Sequence, residues 1–90
     1  MLLLPARLTF AEANDTLRML RQGLKNEPGE RLVVDATGLQ HFDSSALAVL
    51  LECERLAMAG GKRFEVHQMP LKLRELAGLY GIAELMPAAA

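Results

Sequence analysis

The chain has 90 residues, 51 % of them hydrophobic and 4 % aromatic, with 10 basic and 11 acidic side chains. This length predicts one domain, residues 1–90, with a single modest core. The basic residues are scattered and the aromatic residues few, which argues against nucleic-acid binding. No apolar run approaches the roughly 18–20 residues that span a bilayer, and the first residues lack the basic start of a secretory signal. We therefore expect a cytoplasmic protein.

The first third of the chain predicts a short strand followed by an amphipathic helix. Residues 2–4 are three leucines, and Pro5 ends the strand that they favour. A helix is expected to begin near Ala11, because apolar residues recur in this segment at spacings of three and four. The predicted apolar stripe consists of Phe10, Ala13, Leu17, Leu20 and Leu24.

The middle of the chain predicts a strand and a helix on either side of a polar segment. Residues 31–36 contain a Leu-Val-Val run that indicates a strand buried on both faces, and residues 37–38 predict a turn. A second helix is predicted from Ser44 to Ala59. Residues 60–61 are two glycines, which end a helix readily because glycine adopts the left-handed conformation.

The last third predicts a strand over residues 64–67 and a helix that begins after Pro70 and ends at Gly81. The expected apolar stripe of this helix is Leu73, Leu76, Ala77 and Tyr80. Residues 82–86 predict a short final strand or extended segment, followed by a frayed tail. The alternation predicts an α/β fold, with a mixed, mainly parallel sheet of three to four short strands and about three helices packed on it.

Three polar residues stand where the second helix is expected to begin: Asp43, Ser44 and Ser45, called here the 43–45 corner. The carboxylate of Asp43 can cap the helix by accepting a main-chain N–H, and its charge suits the positive helix end. Because such caps are common, the residue types alone favour a structural role. A serine in the first turn is nevertheless exposed, and a phosphate there would meet unpaired N–H groups, so a phosphorylation switch is chemically feasible.

The second helix carries a second apolar stripe beside the sheet-facing one. Leu47, Leu51 and Met58 lie on this stripe, next to Glu54. Packing against a neighbouring helix of the same domain would explain the stripe, and this interpretation is slightly favoured. If the stripe is exposed, it extends the 43–45 corner into a partner-binding patch.

Other chemistry finds little support in the sequence. His41 and His67 are separated by a helix and a strand, and with a single cysteine they offer no metal-ligand spacing, so neither a metal nor another cofactor is expected. Cys53 lies in the sheet-facing arc and is expected in the core. Because no recognisable motif gives a serine of the corner a general base, we expect no enzyme activity.

Residues 31–36, the turn and residues 42–51 (FDSSALAVLL) resemble the STAS domain, the module of anti-sigma-factor antagonists and of sulfate transporter tails. The similarity extends to the C-terminus. In that family the corner usually has the sequence Asp-Ser-Ser-Gly-Leu-Gly, and Ala46 and Ala48 replace the two glycines here. The second serine is phosphorylated by a partner kinase in the sigma-regulatory members. The resemblance therefore implies that Ser45 is a candidate phosphoacceptor.

Residues 73–82 and 84–87 are similar to the end of MlaB-type proteins, the small cytoplasmic STAS subunits of the Mla phospholipid-transport ABC system. In that group a hydroxyl residue after the Asp helps the subunit to bind its ATPase, a role that the resemblance implies for Ser44. The group often has glycine at the position of Ser45. A phosphorylation switch would therefore need Ser45, whereas binding to the ATPase would not.

The resemblance implies a non-catalytic subunit that binds the ATPase of an ABC phospholipid transporter. That complex contains a membrane permease, and the subunit would lie at the inner membrane without inserting into it. The expected partner-binding residues are Asp43, Ser44, Ser45, Leu47, Leu51 and Glu54. The alternatives are an anti-sigma-factor antagonist that is switched by phosphorylation at Ser45 and a homodimer formed through an incomplete sheet edge.

Overall fold

A computed structural model describes residues 2–81 of the chain. The strands are β1 (Leu2–Leu3), β2 (Arg7–Leu8), β3 (Arg31–Asp35), β4 (His41–Phe42) and β5 (Arg63–His67). The helices are α1 (Ala13–Asn26), α2 (Ser44–Ala59) and α3 (Leu71–Leu79). Strands β1, β3 and β5 form one sheet in the order β1-β3-β5, strands β2 and β4 form another, and every pairing is parallel. The predicted α/β fold is confirmed, whereas the strand predicted at 82–86 and the tail lie outside the described residues.

The chain bends at Ala6, between β1 and β2, and changes its pairing partner there. Before the bend, β1 pairs with β3, and the N–H of Leu4 donates to the carbonyl of Asp35 at 2.9 Å. After it, the carbonyl of Ala6 accepts the N–H groups of Gln40 and His41, at 2.8 and 2.9 Å. Pro5 therefore ends the pairing of β1 as expected, but the sequence did not predict a second strand, β2, that pairs with β4.

The three-stranded sheet has one buried and one polar face. Leu32, Val34 and Val66 are buried, whereas Val33 is only half-buried, so the expected burial of β3 on both faces is incomplete. The opposite face carries Asp35, Glu65 and His67. Because side chains alternate along a strand, the helices need to cover only the first of these faces.

Helix α1 begins later than expected. The carboxylate of Glu12 accepts hydrogen bonds from the main-chain N–H and the hydroxyl of Thr9, at 2.9 and 2.6 Å, so the turn before the helix is closed locally. The helix starts at Ala13, and Phe10 lies outside it with 83 % of its surface exposed. The prediction that Phe10 belongs to the buried stripe of α1 is therefore wrong.

Helix α2 lies at the centre of the molecule, in contact with α1, α3 and β5. Most of its predicted sheet-facing arc is buried in the core: Ala46, Val49, Leu50, Cys53 and Ala57. At the end of the helix, Gly61 adopts a φ of +76°, which is the left-handed region that favours glycine.

Candidate functional site

The 43–45 corner is braced by two hydrogen bonds to one carboxylate. Asp43 Oδ1 accepts the N–H of Ser45 at 2.8 Å, which confirms the predicted helix cap. Asp43 Oδ2 accepts the N–H of Phe10 at 3.1 Å, which links the segment before α1 to the start of α2. Since both amides, that of Ser45 foremost, stabilise the ionised form, the pKa of Asp43 is held below its ordinary value.

The two serines of the corner face different grooves. A groove of ≈ 420 Å³, called here the Ser44 groove, is lined by Ser44, Leu47, Ala48, Leu51 and Tyr80. A second groove of ≈ 230 Å³, called here the Ser45 groove, is lined by Phe10, Ala13, Asn14, Leu17, Ser45, Ala48 and Val49. Ala48 lines both grooves, so it forms the ridge that separates them. The corner can therefore present a hydroxyl and an apolar groove on each side of α2.

A family model described as "Mlab, STAS domain" matches residues 1–87. The chain is a member of this STAS domain family. No curated protein matches the chain. Family membership agrees with the parallel α/β fold and with the similarity carried by the corner and by the end of the chain.

The other predicted contact residues of this STAS domain differ in their exposure. Leu47 is 2 % exposed and belongs to the core, whereas Leu51 is half-buried, and both line the Ser44 groove. Met58, further along α2, is 67 % exposed. The second stripe of α2 therefore begins in the core and ends in solvent. Glu54 is half-buried and, among the described residues, is not one of those that line the two grooves.

Two residues of the STAS domain join the corner unexpectedly. Phe10 and Tyr80 were both predicted to lie on buried helical stripes, yet they are exposed and line opposite grooves. The spacing Thr9-x-x-Glu12 matches a capping box, but that motif would make Phe10 the first helical residue, so it does not place Phe10 outside α1. For Tyr80, the signal for an exposed position was its place next to Gly81, the glycine expected to end α3.

The remaining reactive side chains of the STAS domain lie elsewhere. Burial, together with the charge of Glu52, raises the pKa of the Cys53 thiol to about 12, so this cysteine is a poor nucleophile. Within residues 2–81, no group of three His, Cys, Asp or Glu side chains is placed to hold a metal ion. In the same range, no helix combines the length and apolar character that crossing a membrane requires.

Proposed function

We propose that this STAS domain is a non-catalytic subunit that binds the cytoplasmic ATPase of an Mla-type ABC phospholipid transporter. It would stabilise the ATPase or its assembled dimer, and so support lipid transport and outer-membrane lipid asymmetry without contacting lipid. The domain would reside in the cytoplasm, held at the inner membrane through its partner. The support for this proposal is the family membership together with the form of the 43–45 corner.

The observation that carries the proposal is the presence of an exposed aromatic side chain on each side of the braced corner. Phe10 and Tyr80 are 83 % and 60 % exposed, and Ser44 and Ser45 lie between them. Aromatic residues are enriched at protein interfaces, where a few of them often account for most of the binding energy. Because Asp43 fixes the main chain of Phe10, part of this surface is organised before binding.

A binding role also agrees with the chemistry of the serines. In residues 2–81, neither the Ser44 nor the Ser45 hydroxyl makes a hydrogen bond to a histidine that could act as its general base. His67 instead contacts Glu65 at 3.0 Å on the polar sheet face. STAS domains are generally non-catalytic, which supports the same conclusion.

Copurification from the native host tests the proposal. A tagged chain should recover an ABC ATPase, and Ser44→Arg should weaken the complex by roughly tenfold or more, because a long charged side chain would fill the Ser44 groove. Gln22→Arg adds the same charge at an exposed position of α1 and should leave recovery unchanged. If no ATPase is recovered, or if both variants behave alike, the proposed contact is wrong.

A second candidate function is an anti-sigma-factor antagonist that is switched at Ser45. Ser45 lines the Ser45 groove with Phe10, so a phosphate there would alter one groove and leave the Ser44 groove unblocked. The added charge would also lie beside the Asp43 carboxylate and repel an acidic partner. Intact mass after incubation with anti-sigma kinases separates the two functions, because only the antagonist requires a phosphate on Ser45.

Light scattering on the isolated chain tests the homodimer.

A further inference from the structure

A pocket separate from the two grooves collects an arginine, a histidine and a lysine from three parts of the chain. It has a volume of ≈ 410 Å³ and is called here the basic pocket, lined by Arg7, Thr9, Gln40, His41, Phe42 and Lys72. The pocket shares no lining residue with the Ser44 and Ser45 grooves. Its residues come from β2, β4, the first turn of α3 and two positions that flank the strands, so the fold and not a single segment assembles it.

The strand register brings two of these side chains together. Arg7 and His41 are direct partners in the parallel β2–β4 pair, in which neighbouring strands lie about 4.8 Å apart and paired side chains point to the same side. Glu12 Oε2 lies 3.4 Å from Arg7 Nε, which orients the guanidinium, and no ion pair within residues 2–81 involves its terminal nitrogens. Glu12 thus compensates for one positive charge, but Lys72 has no ion-pair partner within residues 2–81.

The start of α3 adds to the positive charge at the pocket. Helices favour acidic residues in their first turn, since unpaired N–H groups and the macrodipole make that end positive. In α3 the N-cap is Pro70, which makes no side-chain capping bond, the first turn has no acidic residue, and Lys72 adds a positive charge. An anion in the basic pocket would offset this unfavourable arrangement, because Lys72 lines the pocket.

We infer that the basic pocket binds a phosphate group, either the free ion or the phosphate of a small soluble ester. The Arg7 guanidinium and the Lys72 ammonium would supply charge-assisted hydrogen bonds to its oxygens, and the Gln40 amide and the His41 imidazole would add donors. Phe42 supplies an apolar wall. This site does not depend on the transporter partner, so it can be tested on the isolated chain.

The test is an NMR titration of the 15N-labelled chain with sodium phosphate, at about pH 7.5, where the doubly charged ion predominates. Sodium chloride is adjusted to hold the ionic strength constant. The amide signals of residues 7–9, 40–42 and 71–72 should shift and saturate, whereas an equivalent titration with chloride alone should not shift them. Shifts that do not saturate, or that chloride reproduces, would overturn the proposal.

Matched variants then identify the charges that matter. Lys72→Gln should weaken phosphate binding about three- to tenfold, by loss of one charge-assisted hydrogen bond. This variant should still fold, because it removes a positive charge from a helix N-terminus. Lys25→Gln makes the same charge change in the last turn of α1 and should leave the affinity unchanged. Equal affinities in the two variants would refute the site.

A parallel titration with glycerol 3-phosphate distinguishes the sources of the phosphate group. Tighter binding of the ester than of inorganic phosphate would identify a soluble organic phosphate as the ligand, with Phe42 contacting its carbon chain. Binding of inorganic phosphate alone would identify the free ion. If neither compound binds, the pocket is not a phosphate site, and the docking proposal for the 43–45 corner is unaffected.

Discussion

The carboxylate of Asp43 accepts the main-chain N–H of Phe10 at 3.1 Å, across 33 positions of the chain. The other oxygen of the same carboxylate caps α2 through the N–H of Ser45. Asp43 therefore stabilises a helix end and also holds an exposed aromatic residue beside that end. A capping role and a role in binding are compatible at this position, because the cap organises the surface that a partner would meet.

Substitution of Asp43 should release Phe10 from the corner. Asp43→Ala removes both acceptors, so the amides of Phe10 and Ser45 should exchange with solvent roughly tenfold faster. Asp43→Asn keeps one acceptor oxygen and caps helices well, so it should protect Ser45 but not Phe10. Hydrogen exchange followed by NMR measures both amides.

The control for this experiment is Asp35→Asn. Asp35 accepts the N–H of Thr37 at 2.8 Å in a local turn and makes no hydrogen bond to Phe10. The exchange of Phe10 should therefore be unchanged in this variant. Equal protection of Phe10 in the wild type and in Asp43→Ala would show that the long-range hydrogen bond does not hold this segment.

Asp43 should also make the stability of the protein depend on pH in the acid range. Its pKa is lowered in the folded state, chiefly by the N–H of Ser45, from about 3.9 in an unfolded chain. The stabilisation is therefore complete above the unfolded pKa and is lost as the pH falls through the lower folded pKa. Urea unfolding of the wild type and of Asp43→Asn should differ most above about pH 5 and converge towards pH 2. A difference that stays constant would contradict this linkage.

Phe10 should matter for binding and not for folding. Because its side chain is 83 % exposed, Phe10→Ala should change the free energy of unfolding by less than about 0.5 kcal/mol. In the proposed complex it should weaken binding by roughly tenfold or more, as expected for an aromatic anchor. The matched control is Leu71→Ala, which removes another exposed apolar side chain, outside both grooves. Similar losses of binding in both variants would argue against a specific contact at Phe10.

The part of the fold that local rules determine was predictable from the sequence. The cap at Asp43, the course of α2 and its buried arc follow from short-range hydrogen bonding and helical periodicity. Strand β4 was not predictable, because its two residues become a strand only by pairing with β2, far away in the sequence. Phe10 was missed for the same reason: its spacing fits the stripe of α1, and only the hydrogen bonds of Glu12 and Asp43 show that it lies outside.

Cys53 should resist thiol reagents in the folded protein. Burial raises the pKa of its thiol to about 12, so little of it is ionised at about pH 8. In the folded protein it should therefore react with a disulfide reagent at least about a hundredfold more slowly than in the protein unfolded by urea. A cysteine moved to the exposed end of α2, in the variant Cys53→Ala/Ala59→Cys, should react quickly without urea. Rapid labelling of Cys53 in the native state would mean that the centre of α2 opens readily.

Lys62 should stabilise the connection between α1 and β3. Its ammonium donates to the main-chain carbonyl of Glu27 at 2.7 Å and also to that of Gly29, so it joins the turn after α2 to the turn after α1. Lys62→Met should lower the free energy of unfolding by about 1 kcal/mol, because both carbonyls then lose a charged donor. The loss is no larger because the contact with Glu27 is only partly buried and the contact with Gly29 is exposed. Lys72→Met removes the same charge from a side chain without such partners within residues 2–81, and it should cause no loss. Urea unfolding of the two variants measures the difference, and equal stabilities would show that solvent replaces the Lys62 hydrogen bonds fully.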